Sequence, residues 1–118
     1  MKEHKKQAVV YLRISDYSPF AEERITAAYR DVIHAIAHEI GAKISDEFFD
    51  KGNSKKGFNK LLSHISKNIP ENLIIMDCGI QLVLQDFNCV FRETKKAIKF
   101  VEGAIKNKAR QKRLFYDK

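Results

Sequence analysis

Short apolar runs separated by helical repeats dominate the pattern of hydrophobic and polar positions along this chain. The runs at 7–14 and 72–76 are apolar at almost every position, which is typical of strands covered on both faces. The run at 43–50 is only partly apolar and predicts a half-buried strand.

The segment after the run at 72–76 combines a turn with an alternating pattern. Asp77-Cys78-Gly79 is typical of a turn, and Ile80, Leu82 and Leu84 alternate with other residues as in a fourth strand. The pattern leaves open whether 77–92 is helix, strand or both.

Three segments have the spacing of helices that bury one face. Ser18-Pro19 predicts a capped start for a long first helix, and Gly41 is placed to end it. A second, shorter helix ends before Pro70, and a third begins at about Glu93 and is rich in lysine on its polar face. The apolar positions of the three helices are Ile25, Ala28, Tyr29, Val32, Ile33, Ile36, Ala37 and Ile40; Phe58, Leu61, Leu62 and Ile65; and Ala97, Ile98, Val101, Ala104 and Ile105.

The order of these elements predicts an α/β fold. Apolar strands that alternate with helices favour a three-layer, mainly parallel four-stranded sheet with right-handed crossovers and helices on both faces. We expect one domain over 1–118, with 92–118 as a basic C-terminal helix and tail. Ligands of such sheets collect beyond the carboxyl ends of the strands, where Arg13-Ile14-Ser15 and the glycine-containing loop at 51–57 fall.

The composition is that of a globular protein in a reducing compartment. The 118 residues are 44% hydrophobic and 31% charged, and no apolar run reaches the length of about 18–20 residues that a membrane span needs. The charged start leads into a strand pattern rather than the core of a signal peptide. Cys78 and Cys89 are too few for a disulfide scaffold, so we expect a cytoplasmic protein.

The net charge of +7 is concentrated at one end of the chain. Residues 92–118 contain ten Lys and Arg against three Asp and Glu, whereas residues 1–91 contain twelve of each sign. A polyanionic partner such as DNA is therefore expected to meet the C-terminal segment. The alternative is a solvated basic helix face that binds nothing.

The sequence gives little support for a nucleotide-binding site, a metal site or a cysteine nucleophile. Neither a phosphate-binding P-loop nor a dinucleotide-binding glycine motif is present, and no cofactor is predicted. His34 and His38 are one helical turn apart but lack a third ligand, which favours surface residues over a metal site. Cys78 beside Asp77 is interpreted as a packed turn cysteine rather than a nucleophile, because no histidine is tied to it by sequence.

Arg13 and Ser15 are the most informative candidates for chemistry. Side chains alternate along a strand, so two residues separated by one share a face. A serine hydroxyl becomes a nucleophile when a base or a cationic field helps it to lose its proton, and a guanidinium binds a phosphate with two hydrogen bonds. The alternative is that Ser15 begins a turn while Arg13 pairs with Asp16 or Asp50.

Tyr11-Leu12-Arg13-Ile14-Ser15 resembles the opening strand of the serine recombinases, the resolvase and invertase family, in which the strand ends in the serine that cleaves DNA. The resemblance continues over most of the chain. The matching segments are Gly41-Ala42 after the long helix, Phe48-Phe49-Asp50-Lys51 at a strand end, Lys56-Gly57-Phe58 with Leu61-Leu62, the buried run at 73–76, and Ala109-Arg110-Gln111-Lys112-Arg113 in the last helix.

The resemblance implies a protein of DNA recombination or integration that acts without metal. Ser15 would attack a DNA phosphate to form a phosphoserine link, Arg13 would bind that phosphate, Lys55 or Lys56 would replace a loop arginine, and Asp50 would be a structural or active-site carboxylate. It also implies a dimer or tetramer formed through the last helix. The basic residues expected to contact DNA from that helix are Lys106, Lys108, Arg110, Lys112 and Arg113.

One departure from the family leaves the activity open. After the third strand the family carries Asp-Arg-x-x-Arg, but 72–84 contains no arginine here. The alternative function is a catalytically inactive regulator from a phage or mobile element that binds DNA or pairs with an intact recombinase. A third interpretation is a small-molecule enzyme with a flavodoxin-like fold.

Overall fold

The computed structural model describes the backbone of residues 6–116 and the side chains of residues 6–106. This part of the chain forms four strands and four helices, so the predicted α/β class is confirmed, although the sequence pattern predicts only three helices. In chain order the elements are β1 (Lys6–Ile14), α1 (Pro19–Glu39), β2 (Ala42–Lys51), α2 (Lys56–Lys67), β3 (Asn72–Asp77), β4 (Ile80–Leu84), α3 (Phe87–Val90) and α4 (Thr94–Tyr116).

The four strands form one mixed sheet in the order β2-β1-β3-β4. β1 is parallel to both β2 and β3, but β4 runs antiparallel to β3. The prediction of a mainly parallel sheet is therefore wrong. The reason is the connection: Cys78 and Gly79 alone join β3 to β4, and a parallel neighbour needs a crossover of a dozen or more residues.

The turn between β3 and β4 lies in the segment at 77–92, for which the sequence pattern leaves helix, strand or both open. Cys78 and Gly79 have φ values of 51° and 88°, and two successive positive φ angles are typical of the tight turns that suit the twist of a hairpin. The segment at 77–92 contains both a strand, β4, and a short helix, α3. The α3 helix has four residues, too few to produce a helical repeat in the sequence.

Both ends of α1 follow from its sequence. The Ser18 side chain accepts a hydrogen bond from the Ala21 amide at 3.5 Å, and Pro19 occupies the first helical position. Ile33 and Ala37 are buried on the apolar face. Gly41 follows the last turn with a φ of +71°, which L-residues with a Cβ rarely adopt, so the predicted stop is confirmed.

Alternate residues of β1 contribute to two hydrophobic clusters. One cluster joins the even-numbered β1 residues to α1, and the other joins the odd-numbered residues to α2 and α4. Their buried members from β1 and these helices are Ala8, Val10, Leu12, Ile14, Ile33 and Ala37 in the first, and Val9, Tyr11, Leu61, Ile65, Ala97 and Val101 in the second. Arg13 is the next odd-numbered residue, which places it towards α2 and α4.

None of the helices in the described residues has both the length and the apolar character needed to cross a bilayer.

Candidate functional site

The carboxyl ends of three parallel strands bring Arg13 between two carboxylates. In the sheet register Arg13 of β1 lies opposite Asp50 of β2 and Asp77 of β3. This edge of the sheet is where ligands of open α/β folds collect.

Arg13 is held by two hydrogen bonds. Its Nε donates to Oδ1 of Asp77 at 2.7 Å, and its Nη1 donates to the carbonyl of Gly52 at 3.0 Å. The alternative pairing with Asp16 or Asp50 is therefore wrong: the partner is Asp77, which is 5% exposed. Burial lowers the pKa of the Arg13 guanidinium, but the ion pair with Asp77 outweighs burial, and the pKa lies above its ordinary value. A guanidinium has five N–H donors, so these two contacts orient the group without exhausting it.

Ser15 lies just beyond the end of β1, where its side chain is exposed. Its hydroxyl donates to the sulfur of Cys78 at 3.6 Å, and the amide of Cys78 donates to the carbonyl of Arg13 at 2.8 Å. Arg13 and Ser15 thus contact consecutive residues, Asp77 and Cys78. A thiol is a weak hydrogen-bond acceptor, so this contact does little to activate the hydroxyl.

Asp50 is a structural carboxylate that caps α2. It is 2% exposed, and it accepts hydrogen bonds from the amides of Gly57 at 2.7 Å and Phe58 at 2.8 Å. The hydroxyls of Tyr11 and Ser54 also donate to it, at 2.8 Å and 3.2 Å. Each oxygen of the Asp50 carboxylate thus accepts two hydrogen bonds, Oδ1 from Gly57 and Ser54 and Oδ2 from Tyr11 and Phe58.

These contacts fix the protonation of the pair formed by Asp50 and Tyr11. Burial raises the pKa of the Asp50 carboxyl, but hydrogen bonds from Gly57, Tyr11, Phe58 and Ser54 favour the charged form more strongly, so its pKa lies below the ordinary value. Burial and the bond to Asp50 raise the pKa of the Tyr11 hydroxyl, which stays protonated and donates.

A cleft of about 590 Å³ opens between the end of β1, the loop after β2, α2 and α4. We call it the basic cleft, because Arg13, Lys55 and Lys106 reach it from three separate elements. Within the described residues neither Lys55 nor Lys106 has a carboxylate within 4.0 Å. The other lining residues are Tyr11, Gly52, Asn53, Ser54, Phe58, Asn59, Leu62, Glu102 and Ile105.

Three of the predicted site residues that the structure describes lie outside this cleft. Ser15 and Lys56 do not line it, and Asp50 is buried beside α2. The predicted DNA-binding residues Lys108, Arg110, Lys112 and Arg113 have side chains outside the described residues.

The two histidines of α1 lie on the surface of the helix. His34 and His38 are exposed, and the described part of the chain contains no group of three residues that could hold a metal ion.

Sequence reasoning missed Asp77 and Asn53 as members of the site. The sequence pattern predicts a turn at Asp77, yet Asp77 is the last residue of the fully buried strand β3, and such positions meet neighbouring strand ends at one edge of the sheet. Asn53 carries no local pattern, because its position in the cleft depends on how the loop after β2 packs.

No family model matches this chain, and comparisons with curated proteins and with solved structures find no match. The resemblance to serine recombinases rests on the residues themselves.

Proposed function

We propose that this protein binds the phosphate backbone of DNA as a serine-recombinase-like domain that does not cleave. The observation that carries the proposal is the convergence of Arg13, Lys55 and Lys106 on one cleft. Helix residues pack against alternate sides of β1, which supports a three-layer, resolvase-like arrangement.

Phosphate binding follows from the chemistry of the basic cleft. Lysine and arginine side chains supply most of the affinity of proteins for a DNA backbone, since each phosphate contact releases condensed counterions. Arg13 is oriented by Asp77 in advance, which reduces the ordering cost of binding. Beyond Lys106 the sequence of α4 adds four further basic residues, Lys108, Arg110, Lys112 and Arg113.

Binding without cleavage is favoured by the number of arginines near Ser15. Arg13 is the single arginine in β1, β3 and β4, and it is already paired with Asp77. Each donor that stabilises a transition-state charge is worth about 2.7–4 kcal/mol, and a lysine lacks the bidentate geometry of a guanidinium. The protein is then a regulator from a phage or mobile element that associates with itself through α4 or with an intact recombinase.

The second candidate is DNA cleavage by Ser15. It is favoured by the exposed hydroxyl of Ser15 just after the end of β1, two residues after Arg13. In this case the missing cations would come from another subunit bound to the same DNA.

Salt-dependent DNA binding tests the first proposal. We expect log K to fall steeply with log salt, and the double variant Lys55→Ala/Lys106→Ala to flatten that slope by about two, or about 0.9 for each lost phosphate contact. The matched control is Lys43→Ala/Lys67→Ala, which removes two exposed lysines outside the basic cleft. Absent binding at low salt, or equal loss in both double variants, contradicts the proposal.

Incubation with supercoiled DNA separates the two candidates. We expect neither the natural chain nor Ser15→Ala to nick the DNA or to become covalently attached to it. Covalent attachment by the natural chain that Ser15→Ala abolishes replaces the first proposal with the second.

A further inference from the structure

The β4 strand is a sheet edge without the usual protection. Its sequence, Ile80-Gln81-Leu82-Val83-Leu84, contains neither a charge nor a proline, and among the described residues β4 pairs with β3 alone. The opposite edge, β2, carries Lys43, Asp46, Glu47, Asp50 and Lys51 within ten residues. Charged side chains on an edge strand oppose pairing with another chain. The β2 edge has this protection, and the β4 edge lacks it.

The register shows which backbone groups of β4 point outwards. Asp77 and Ile80 flank the two-residue turn and form the hydrogen-bonded pair that closes the hairpin, and such pairs alternate along antiparallel strands. Leu82 and Leu84 therefore direct their amide and carbonyl groups towards β3. The corresponding groups of Gln81 and Val83 are directed away from the sheet.

We propose that β4 pairs with the β4 strand of a second copy of this chain, antiparallel about a two-fold axis at Leu82. In this register Gln81 lies opposite Val83 of the second copy, and the two residues exchange both backbone hydrogen bonds, which gives four bonds in the dimer. Leu82 meets its own counterpart as a pair without hydrogen bonds, where side chains approach most closely. The two four-stranded sheets become one of eight strands.

A second copy fits this edge because β4 is complementary to itself. The outward groups of Gln81 and Val83 match in an antiparallel arrangement without any shift of register. No like charges meet, since all five side chains are neutral. Leu82 and Leu84 are half-buried against the cluster that contains α2 and α4, so the partner strand would cover the remainder of an apolar edge.

The contact is small, so we expect a dimer that depends on concentration. A strand of five residues is about 17 Å long. A contact of this length buries less surface than the about 1,200–2,000 Å² of a standard interface. Sedimentation velocity from about 1 μM to about 1 mM protein covers the affinities that such an edge can supply.

The Gln81→Pro variant removes the outward amide at a solvent-facing position, where an edge strand tolerates proline. The matched control, Gln81→Thr, changes the same side chain but keeps the amide. We expect Gln81→Pro to raise the dissociation constant of the dimer at least tenfold and Gln81→Thr to leave it within about threefold. Circular dichroism checks that both variants keep the fold. A chain that stays monomeric throughout, or a dimer that Gln81→Pro does not weaken, overturns the proposal.

Cross-linking tests the register even where Gln81→Pro fails to fold. In a background of Cys78→Ser and Cys89→Ser, Leu82→Cys places two thiols on the axis within disulfide reach, whereas Ile80→Cys lies opposite Leu84 of the second copy. We expect oxidation to yield a covalent dimer for Leu82→Cys alone. Equal cross-linking of the two variants, or none in either, contradicts this register.

Discussion

Asp50 belongs to the segment that resembles the serine recombinases, and its carboxylate also binds the start of α2. Its position at the end of an aromatic strand is part of the resemblance to serine recombinases, and its carboxylate is nevertheless occupied by two amides and two hydroxyls. Lys55, the residue that precedes α2, makes no capping bond with its side chain. Asp50 supplies the missing cap from the neighbouring strand.

This role predicts a defined acid sensitivity. The pKa of Asp50 is lower in the folded protein than its ordinary value of 3.8, so the ionised carboxylate stabilises the fold above about pH 4. That contribution is lost as the pH falls through the lower, folded-state pKa. We expect Asp50→Asn to lower the free energy of unfolding at neutral pH by about 2 kcal/mol, because the capping bonds to α2 weaken.

Urea unfolding at a series of pH values measures both effects. The natural chain should lose more stability than Asp50→Asn as the pH is lowered. Asp31→Asn, at an exposed position of α1, is the control and should follow the natural chain. Identical pH profiles for Asp50→Asn and the natural chain would show that Asp50 does not act in this way.

Among the elements, α2 is packed unusually close to β2. A Cβ atom built on Gly57 would lie 2.3 Å from the carbonyl oxygen of Phe49, and the nearest atoms all belong to the Phe49 backbone. Because a backbone cannot rotate away as a side chain can, only glycine fits at this helix start. The same approach brings the Gly57 amide within reach of Asp50.

We therefore expect Gly57→Ala to lower the free energy of unfolding by about 2–3 kcal/mol, despite the higher helix propensity of alanine. The matched control is Gly103→Ala in α4, where a Cβ meets nothing within 4 Å. That change should raise stability by about 0.5–1 kcal/mol, since alanine favours the helix interior. Chemical denaturation measures the free energy of unfolding of both variants. A Gly57→Ala protein as stable as the natural chain would contradict the close packing.

Elements with a long, regular pattern could be predicted from the sequence, whereas the short helix α3 and the direction of β4 could not. The helical repeat of apolar residues in α1 and the continuous apolar runs of β1 and β3 mark the faces that these elements bury. Each pattern is visible within the segment itself. α3 is too short for a period, and the direction of β4 depends on the turn at Cys78-Gly79. Likewise, Arg13 could be predicted as a site residue, but its partner Asp77 depends on the order of the strands.

At the scale of the whole molecule, the charge is unevenly distributed. The segment at 92–118 accounts for the entire net charge of +7, and Lys106 of α4 lines the basic cleft. A field of this kind acts on any phosphate backbone and reads no bases.

The proposed DNA binding should therefore be insensitive to sequence. We expect duplexes of equal length and unrelated sequence to compete within about threefold of one another, because phosphate contacts carry no sequence information. Competition titrations at fixed salt measure this ratio. A preference of tenfold or more for one duplex would require base contacts that charge alone does not supply.

The position of β1 between β2 and β3 has a consequence for synthesis on the ribosome. β1 is made first among these strands, yet one of its two neighbours is complete only when Asp77 has been added. β3 and β4 are adjacent in sequence and can close a hairpin within about 1–10 μs once both have emerged. The side of β1 that pairs with β3 thus stays open in the nascent chain until Asp77 has been added, whereas its other side can already pair with β2.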